Sequence, residues 1–544
     1  DEDEDEVDEE IKDKSVDKLG DDEDLDIFQF EKRMPSEVVE HRLKTSTFYM
    51  NNRKKFISQL MPLFSKYKRE LSNEDKKASC DDTNSKKGEA REFKLMTHQK
   101  VVSDYLNLYT PYRGLLLYHG LGSGKTCTSI AIAEGMKSQK QVIVMTLASL
   151  KANFYDQMKV CGDPIYKLDQ FWEFISTDGQ PNYIQILSKI LKLPEEYVSK
   201  NKGAWMVNVK RESNFNDLSD VDKKSLNQQI DMMIRSKYKH YNYNGLNLGI
   251  MNEMTSDFKK NPFDNCVVVI DEVHNFVSRI VNKLNDKTSI SYKLYEYLMS
   301  ATNARIVLLS GTPIINYPNE IGILFNILRG YIKTWTFPFT VGEKSRSYTR
   351  ESILSWFKDA GKHRYDYVEL SGQQLIITRN PFGFVNKYDE RKSSSRQTLK
   401  KGGKAKKAKR GTKSKKSAST PSKIDNIITK NKNGLISINN PISDSQFETD
   451  SERIERIDTA MAVQHGGGVF EDYTGVELDD TGNTSDLIFK KEVIDILGKH
   501  HLRVENVSKV KLTNNKALPD ISKDFLEMFV ELGAKDMKNE RLFQ

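Results

Sequence analysis

Eight consecutive residues, lying between an apolar run and a helix-like pattern, have the composition of a phosphate-binding loop. They are His119, Gly120, Leu121, Gly122, Ser123, Gly124, Lys125 and Thr126. Glycines let backbone N–H groups approach phosphate oxygens, and a helix that follows presents its positive end to them. Lys125 would neutralise phosphate charge and the Thr126 hydroxyl would hold Mg²⁺. The segment predicts a nucleoside triphosphate site, although His119 stands where the strict pattern has glycine.

A second group of chemically capable residues follows the apolar run 266–270. Asp271 and Glu272 stand side by side, with His274 two residues further on. Adjacent carboxylates repel each other unless a metal ion shares them. We expect Asp271 to bind Mg²⁺ through water and Glu272 to polarise the water that attacks the γ-phosphate.

Two shorter motifs complete the candidate site. Ser310 and Thr312 follow the apolar run 306–309, and their hydroxyls could bond the carboxylates or His274 and so link nucleotide state to the rest of the molecule. Alone, this segment is an ordinary Ser-Gly-Thr-Pro turn. Upstream, Gln99 precedes Lys125 by about 26 residues, and a glutamine can bond adenine at two positions. The alternative for Gln99 is a helix-capping cluster.

The elements that would position these residues are short apolar strands that alternate with helical patterns from residue 94 onward. Candidate strands are 114–118, 142–146, 205–209, 266–270 and 305–309. This alternation is typical of an α/β fold, with a parallel sheet flanked by helices. The stretch 160–260 is longer than one crossover needs, which predicts an insertion there. After Tyr331 a smaller α/β extension continues to about 381.

Composition divides the rest of the 544-residue chain. Hydrophobic residues make up 37% and charged residues 30%, so part of the chain is too polar to pack. We expect an acidic disordered tail at 1–26, a helical extension at 27–90 and the nucleotide-binding domain at 91–385. A basic, polar low-complexity linker at 386–484 and a short αβ segment at 485–544 would follow.

The net charge of +7 conceals opposite charges in two segments. Residues 1–10 contain nine carboxylates, whereas 400–416 is mostly lysine. The lysine-rich run could bind nucleic acid without sequence preference or direct the chain to the nucleus, or it could be a solvated insertion without a dedicated partner. For the acidic segment, a solubilising tail is favoured over a mimic of nucleic acid.

Other sequence features restrict the class of protein. No apolar stretch approaches the roughly 20 residues that span a bilayer, so we expect no membrane association. The four cysteines, Cys80, Cys127, Cys161 and Cys266, are scattered without zinc-site spacing, which favours a reducing compartment. The chain starts without Met, and we expect a fragment.

The succession THQ, YHGLGSGKT, VIVMTLASL, VVVIDEVHNF and LLSGTPIINYPNEI resembles the Q motif and motifs I, Ia, II and III of superfamily 2 helicases. With the later TRNPFGF it is most similar to the helicase-like nucleoside triphosphatases of nucleocytoplasmic large DNA viruses. The resemblance covers about 94–385 well and 487–544 weakly. It implies a RecA-like domain that binds ATP and Mg²⁺.

The resemblance also implies roles for individual residues. Gln99 would contact adenine, Gly122 to Thr126 the phosphates and Mg²⁺, Asp271 the metal and Glu272 the hydrolytic water. His274, Ser310 and Thr312 would couple two lobes. Thr146 and Ser149, in motif Ia, would touch the nucleic-acid backbone. The implied partners are DNA or RNA, bound without sequence preference, and RNA polymerase or other transcription factors.

One departure from the family pattern concerns the end of the chain. After residue 385 we find no second RecA-like lobe and no late motif that supplies an arginine to the γ-phosphate, and such an arginine contributes roughly 10³- to 10⁵-fold in rate. We therefore expect ATP binding with slow hydrolysis, unless another polypeptide supplies the second lobe. A nucleotide-binding regulatory or scaffold module is the alternative function. The viral resemblance places the protein in the virion and the host cytoplasm; otherwise it would be intracellular, including the nucleus.

Overall fold

The computed structural model describes most of the chain between residues 95 and 388 and shorter pieces on either side. The described residues are 27–35, 48, 53–77, 95–120, 122–342, 348–362, 364–381, 383–388, 428–430, 436–438, 473–479, 485–504 and 506–531. They fall into two compact units. The first contains those within 64–383 and 481–544 together with 27–35, and the second those within 46–63 and 384–480. The predicted acidic tail at 1–26 and the lysine-rich run lie outside the described residues.

A five-stranded parallel sheet forms the centre of the first unit. Its strands are β1 (Gly114–Tyr118), β2 (Gln141–Thr146), β5 (Tyr238–Asn242), β6 (Cys266–Ile270) and β7 (Arg305–Ser310). They lie in the order β1-β7-β6-β2-β5, and every neighbouring pair is parallel. The prediction of an α/β fold with a parallel sheet flanked by helices is confirmed.

Both faces of this sheet are buried, because successive side chains of the central strands enter two different cores. Val267 and Val269 pack into one hydrophobic cluster, whereas Val268 and Ile270 pack into the other. All four are fully buried. Continuous apolar runs are what a strand covered by helices on both faces requires, which is why the sequence identified β6 so clearly.

Fourteen α-helices are assigned bounds in the described parts of the chain. They are α1 (Arg53–Lys77), α2 (Thr97–Tyr105), α3 (Lys125–Glu134), α4 (Lys151–Cys161), α5 (Asn182–Leu191), α6 (Glu195–Lys200), α7 (Asp220–Lys237), α8 (Leu248–Thr255), α9 (Val273–Val281), α10 (Ile290–Ser300), α11 (Asn319–Arg329), α12 (Arg350–Asp359), α13 (Asp486–Lys499) and α14 (Ser522–Glu531). Several begin at a residue whose side-chain oxygen accepts a backbone N–H, including Ser219, Asn247 and Ser289. Such caps satisfy donors that the first helical turn leaves free.

One of the five predicted strands does not belong to the central sheet. Residues predicted as a strand at 205–209 form β4 (Gly203–Val207), which pairs antiparallel with β3 (Trp172–Ser176) in a separate hairpin. The fifth strand of the central sheet is instead β5, which lies within the predicted insertion. The run Trp205–Val207 is buried against helix α7 residues such as Ile230. Its apolar character therefore reflects contact with this helix and not a place in the central sheet.

After Tyr331 the chain builds a second, antiparallel sheet in the same unit. It consists of β8 (Ile332–Pro338), β10 (Tyr365–Ser371), β11 (Gln374–Arg379) and β17 (Lys511–Asn515), in the order β10-β11-β8-β17. Two short strands, β9 (Thr340–Val341) and β16 (Leu502–Arg503), pair beside it. The weakly matched segment after 485 therefore returns to complete this sheet. Asp486, near the start of this segment, forms ion pairs with Lys333 and Arg379.

The second unit contains strands that fall in the predicted low-complexity linker. Strand β12 (Phe384–Tyr388) pairs antiparallel with β15 (Tyr473–Leu478), and β13 (Ile428–Lys430) pairs with β14 (Ile436–Ile438). Phe48, Phe384 and Val476 form a small buried cluster. Among these described pieces of 386–484 there is regular pairing where the sequence suggested none.

Two of the cysteines lie together in space. Cys127 on α3 and Cys161 on α4 form a disulfide, with 5.6 Å between their Cα atoms, whereas Cys266 is a buried free thiol and Cys80 lies outside the described residues. The sequence did not predict this disulfide, which differs from the expectation of scattered cysteines in a reducing compartment. Within the described ranges, no helix combines the length and apolar character that a membrane span requires.

Candidate nucleotide-binding site

The predicted site residues collect at the carboxyl ends of three neighbouring strands. The phosphate loop follows β1, Ser310 ends β7, and Asp271 follows β6, in the spatial order β1-β7-β6. Because parallel strands end at the same edge, motifs separated by almost 200 residues in sequence come together here. This edge is where open α/β sheets usually bind their ligands.

The phosphate loop has the backbone that its glycines permit. Gly122 and Gly124 have φ angles of 78° and 75°, in the left-handed region that favours glycine. The Lys125 Nζ donates to the carbonyl oxygens of His119 and Gly120, each at 3.0 Å. The ammonium group therefore lies across the loop, where a phosphate could replace the two carbonyls as its partner.

The phosphate loop also contains Leu121, Ser123 and His119. Leu121 lies outside the described residues. The Ser123 hydroxyl donates to the Gly120 carbonyl at 2.9 Å. Burial, with the nearby His98 and Lys125, lowers the pKa of His119. A neutral imidazole at this position adds no further positive charge to the loop.

Gln99 contacts the phosphate loop directly. Its Oε1 accepts from the Met96 N–H at 2.9 Å and its Nε2 donates to the Gly124 carbonyl at 3.3 Å. The side chain is buried, with 2% exposure, and a Cβ on residue 124 would lie only 2.6 Å from Gln99 Nε2. The capping role and the loop contact are thus both present, while the adenine contact remains a prediction.

Asp271 and Glu272 form a tight turn between β6 and α9. Asp271 Oδ1 accepts from the Glu272 N–H at 2.9 Å, and Glu272 has a φ of 46°, uncommon for a residue with a side chain. Burial raises the pKa of Asp271 to about 6, with the neighbouring Glu272 charge adding to the rise and Lys125 opposing it. A buried carboxylate of this kind is a functional-site candidate.

His274 links the acidic turn to the strand that carries Ser310. Its Nδ1 lies 2.9 Å from Ser310 Oγ and 3.3 Å from Glu272 Oε2, while its Nε2 lies 2.9 Å from Asn275 Nδ2. Since an amide nitrogen only donates, Nε2 accepts and Nδ1 carries the proton. His274 thus donates towards both Ser310 and Glu272.

The segment that follows Ser310 continues towards the phosphate loop. The Thr312 backbone N–H donates to Ser310 Oγ at 3.0 Å, and the Thr312 side chain is exposed. A Cβ on residue 311 would lie 3.9 Å from Lys125 Nζ. Ser310, His274 and Glu272 therefore form a continuous polar path beside the loop, and their coupling role remains a prediction.

The two motif Ia residues differ in accessibility. Thr146 is fully buried, and its hydroxyl donates to the Leu147 carbonyl at 2.8 Å and lies 2.9 Å from His240 Nε2. In this conformation a nucleic-acid phosphate cannot reach that hydroxyl. Ser149, by contrast, is exposed and is free to serve the predicted contact.

Two residues that the sequence analysis did not single out support this edge of the sheet. Glu320 is fully buried at the start of α11, and its Oε2 accepts from the N–H groups of Ile315 and Asn316 at 2.8 and 3.2 Å. Tyr243, just after β5, contacts the Asp271–Glu272 turn. An acid in a first helical turn is a recognisable sequence signal, whereas nothing local distinguishes Tyr243 from neighbouring tyrosines.

The donor set fits ATP with Mg²⁺. Loop N–H groups and Lys125 suit phosphate oxygens, and Mg²⁺ prefers the oxygen ligands that Thr126 and Asp271 offer together with phosphate and water. No group of three or more histidine, cysteine or acidic residues arranged for a metal occurs in the described parts of the chain. A site completed by phosphate oxygens does not need one.

Comparison with known proteins supports this assignment. Residues 92–315 match the family described as "Type III restriction enzyme, res subunit". The chain is 30% identical over 241 residues to a protein of Acanthamoeba polyphaga mimivirus named "Putative ATP-dependent RNA helicase", covering 43% of this chain and 33% of the relative.

Two other viral proteins are also similar. A "Putative helicase" of Invertebrate iridescent virus 3 is 26% identical over 43% of this chain and 20% of the relative. A "Termination factor NPH-I homolog" of African swine fever virus is 28% identical over 40% of this chain and 23% of the relative. The chain thus spans a third or less of each of these relatives. Motifs, geometry and relatives agree that residues 92–315 are similar to the helicase-like ATPase domains of these viral proteins.

Proposed function

We propose that this chain is the ATP-binding portion of a nucleic-acid-stimulated motor that acts in viral transcription. The observation that carries the proposal is the shared sheet edge, where Lys125, Asp271 and Glu272 lie beside the His274–Ser310 contact. A domain that used a nucleotide only for its shape would not need a water-activating carboxylate next to a metal-binding one.

In the proposed reaction, each residue has a role that follows from its position. Lys125 leaves the loop carbonyls and neutralises the β- and γ-phosphates, while Thr126 and Asp271 would hold Mg²⁺. When bound there, the ion would supply further neutralisation of phosphate charge. Glu272 orients the attacking water and accepts its proton at a carboxylate oxygen. His274, which donates from Nδ1, keeps the Glu272 carboxylate oriented.

Nucleic acid is the proposed track, and its backbone is the feature recognised. The exposed Ser149 and neighbouring loop amides at the sheet edge would contact phosphates, which carry no sequence information. The lysine-rich run would add sequence-independent attraction. The name of the African swine fever virus relative, a termination factor homolog, supports a role in viral transcription. RNA polymerase or other transcription factors as partners, and the host cytoplasm and the virion as locations, belong to this proposal.

Steady-state ATP hydrolysis tests the proposal. The 544-residue chain is assayed alone and with single-stranded or duplex DNA and RNA, beside Glu272→Gln and Lys125→Ala. We expect nucleic acid to stimulate turnover, Glu272→Gln to retain ATP binding but lose turnover by at least roughly 100-fold, and Lys125→Ala to lose ATP binding. The Glu272→Gln variant keeps the size of the side chain, so a loss of turnover reports its carboxylate.

The possible results separate the two functions. Stimulated turnover that disappears in Glu272→Gln supports a motor. ATP binding without turnover under any condition would exclude autonomous hydrolysis, and it would leave either a motor half whose second lobe another polypeptide supplies or the regulatory or scaffold module. Turnover that persists in Glu272→Gln would remove the assignment of Glu272 as the general base.

A further inference from the structure

We propose that Tyr243 is a positioning residue, which holds the Asp271–Glu272 turn in its catalytic shape and connects it to motif Ia. This inference deepens the proposed function, on which it rests. Tyr243 touches neither the phosphate loop nor the predicted water position. It would act on hydrolysis only through Glu272.

The first observation is a pair of contacts to the acidic turn. The Tyr243 hydroxyl lies 3.2 Å from the carbonyl oxygen of Asp271 and 3.2 Å from that of Glu272, so its single proton is shared between two successive carbonyls. Tyr243 is 3% exposed.

The second observation is the backbone of the turn itself. Glu272 has a φ of 46° although it carries a side chain, and this left-handed conformation persists only where surrounding contacts impose it. The Tyr243 hydroxyl supplies such contacts on the carbonyl side. On the other side, the Asp271 N–H donates to the Met145 carbonyl at 3.0 Å. The turn is therefore held from two directions.

The third observation extends the connection to motif Ia. The Tyr243 N–H donates to the Thr146 carbonyl at 3.2 Å, and the Tyr243 ring packs edge-on against Phe276 of α9, with 5.5 Å between centroids. On the same strand, His240 contacts the Thr146 hydroxyl. A displacement of motif Ia by nucleic acid would thus reach the Glu272 carbonyl through one residue.

The test uses Tyr243→Phe, which removes the hydroxyl and retains the ring. Tyr241→Phe is the matched control. Tyr241 lies in β5, two residues before Tyr243, its substitution removes the same atom, and its side chain packs at the edge of the same core. We expect ATP affinity to change by less than about 2-fold and kcat to fall roughly 3- to 10-fold in Tyr243→Phe, as for the loss of one net hydrogen bond. The stimulation of turnover by nucleic acid should fall together with kcat in Tyr243→Phe. Tyr241→Phe should behave as the parent chain.

A second measurement does not depend on turnover. Hydrogen exchange of the segment 270–276, in the chain without nucleotide, should be roughly 3- to 10-fold faster in Tyr243→Phe and unchanged in Tyr241→Phe. Unchanged exchange in Tyr243→Phe, or an equal loss of ATP affinity and kcat, would overturn the inference. If the parent chain does not bind ATP, the proposed function fails, while faster exchange in Tyr243→Phe would still support the role of Tyr243 in holding the turn.

Discussion

Replacing Asp271 with asparagine is expected to stabilise the nucleotide-free protein. The carboxylate is partly buried at the end of β6 beside Glu272, and its pKa is raised from 3.8 to about 6. Above pH 6 the folded protein therefore carries an ionised group in a place that disfavours charge. Asparagine has the same shape and can still accept the Glu272 N–H through Oδ1, but it never ionises.

The magnitude follows from this pKa. A rise from 3.8 to about 6 corresponds to about 3 kcal/mol, at roughly 1.4 kcal/mol for each pH unit by which the pKa moves. Because the carboxylate keeps some contact with solvent, we expect the variant to gain roughly 1–3 kcal/mol in free energy of unfolding.

The stabilising effect of Asp271→Asn should depend on pH. Between about pH 4 and pH 6 the folded parent chain binds more protons at Asp271 than the unfolded chain, so the contribution of this group to stability falls as pH rises through that window. The group contributes no further change above pH 6. The advantage of Asp271→Asn should therefore be full at pH 7–8 and shrink as pH falls towards 4.

Urea unfolding of the full chain at several pH values between 5 and 8 provides the assay. Asp217→Asn, an exposed site, removes the same charge and is the control. Saturating Mg²⁺ and ATP should shrink the advantage of Asp271→Asn, because a ligand held by Asp271 stabilises the parent chain by about 2.7 kcal/mol at 100 times its Kd. Equal or lower stability of Asp271→Asn at pH 8, or an advantage that does not vary with pH, would refute the reasoning.

Two further predictions concern support of the site. Cys127→Ser should lower the free energy of unfolding by about 3–4 kcal/mol under oxidising conditions, as expected for opening a loop with a sequence separation of 34 residues; a thiol titration that finds Cys127 and Cys161 free would contradict it, and added reductant should abolish the difference. Glu320→Ala should cost roughly 1.5–3 kcal/mol, because the N–H groups of Ile315 and Asn316 lose a charged acceptor. Thermal unfolding checks this loss, Glu320→Gln should recover part of it, and an unchanged midpoint would show that water replaces the carboxylate.

The sequence predicted those strands that are buried on both faces. Residues 266–270 and 306–309 are continuous apolar runs, and such runs are what strands covered on both faces require. Strand β5 was missed because Lys239 and His240 interrupt its pattern, as an edge strand tolerates. Residues 205–209 were assigned to the wrong sheet, since an apolar run shows that a strand is buried but not which strand it pairs with.

The candidate site likewise contains residues that the local sequence predicts and residues that it does not. Lys125, Asp271 and Glu272 belong to motifs whose chemistry is contained in a few adjacent residues, so local sequence is sufficient. The contact of Tyr243 with the acidic turn joins residues 28 and 29 positions apart, and it depends on how two strand ends align in space. Local patterns contain no information of that kind.

The antiparallel sheet has a consequence for the order in which the chain folds during synthesis. Strand β8 pairs with β11 on one side and with β17 on the other, yet β17 is translated long after the other three strands. At roughly 5–20 residues per second, this delay is on the order of ten seconds or more. Throughout that interval one edge of β8 remains unpaired and available to other chains. Slower synthesis between β11 and β17 would lengthen this exposure, so recovery of folded protein should depend on translation speed in that stretch.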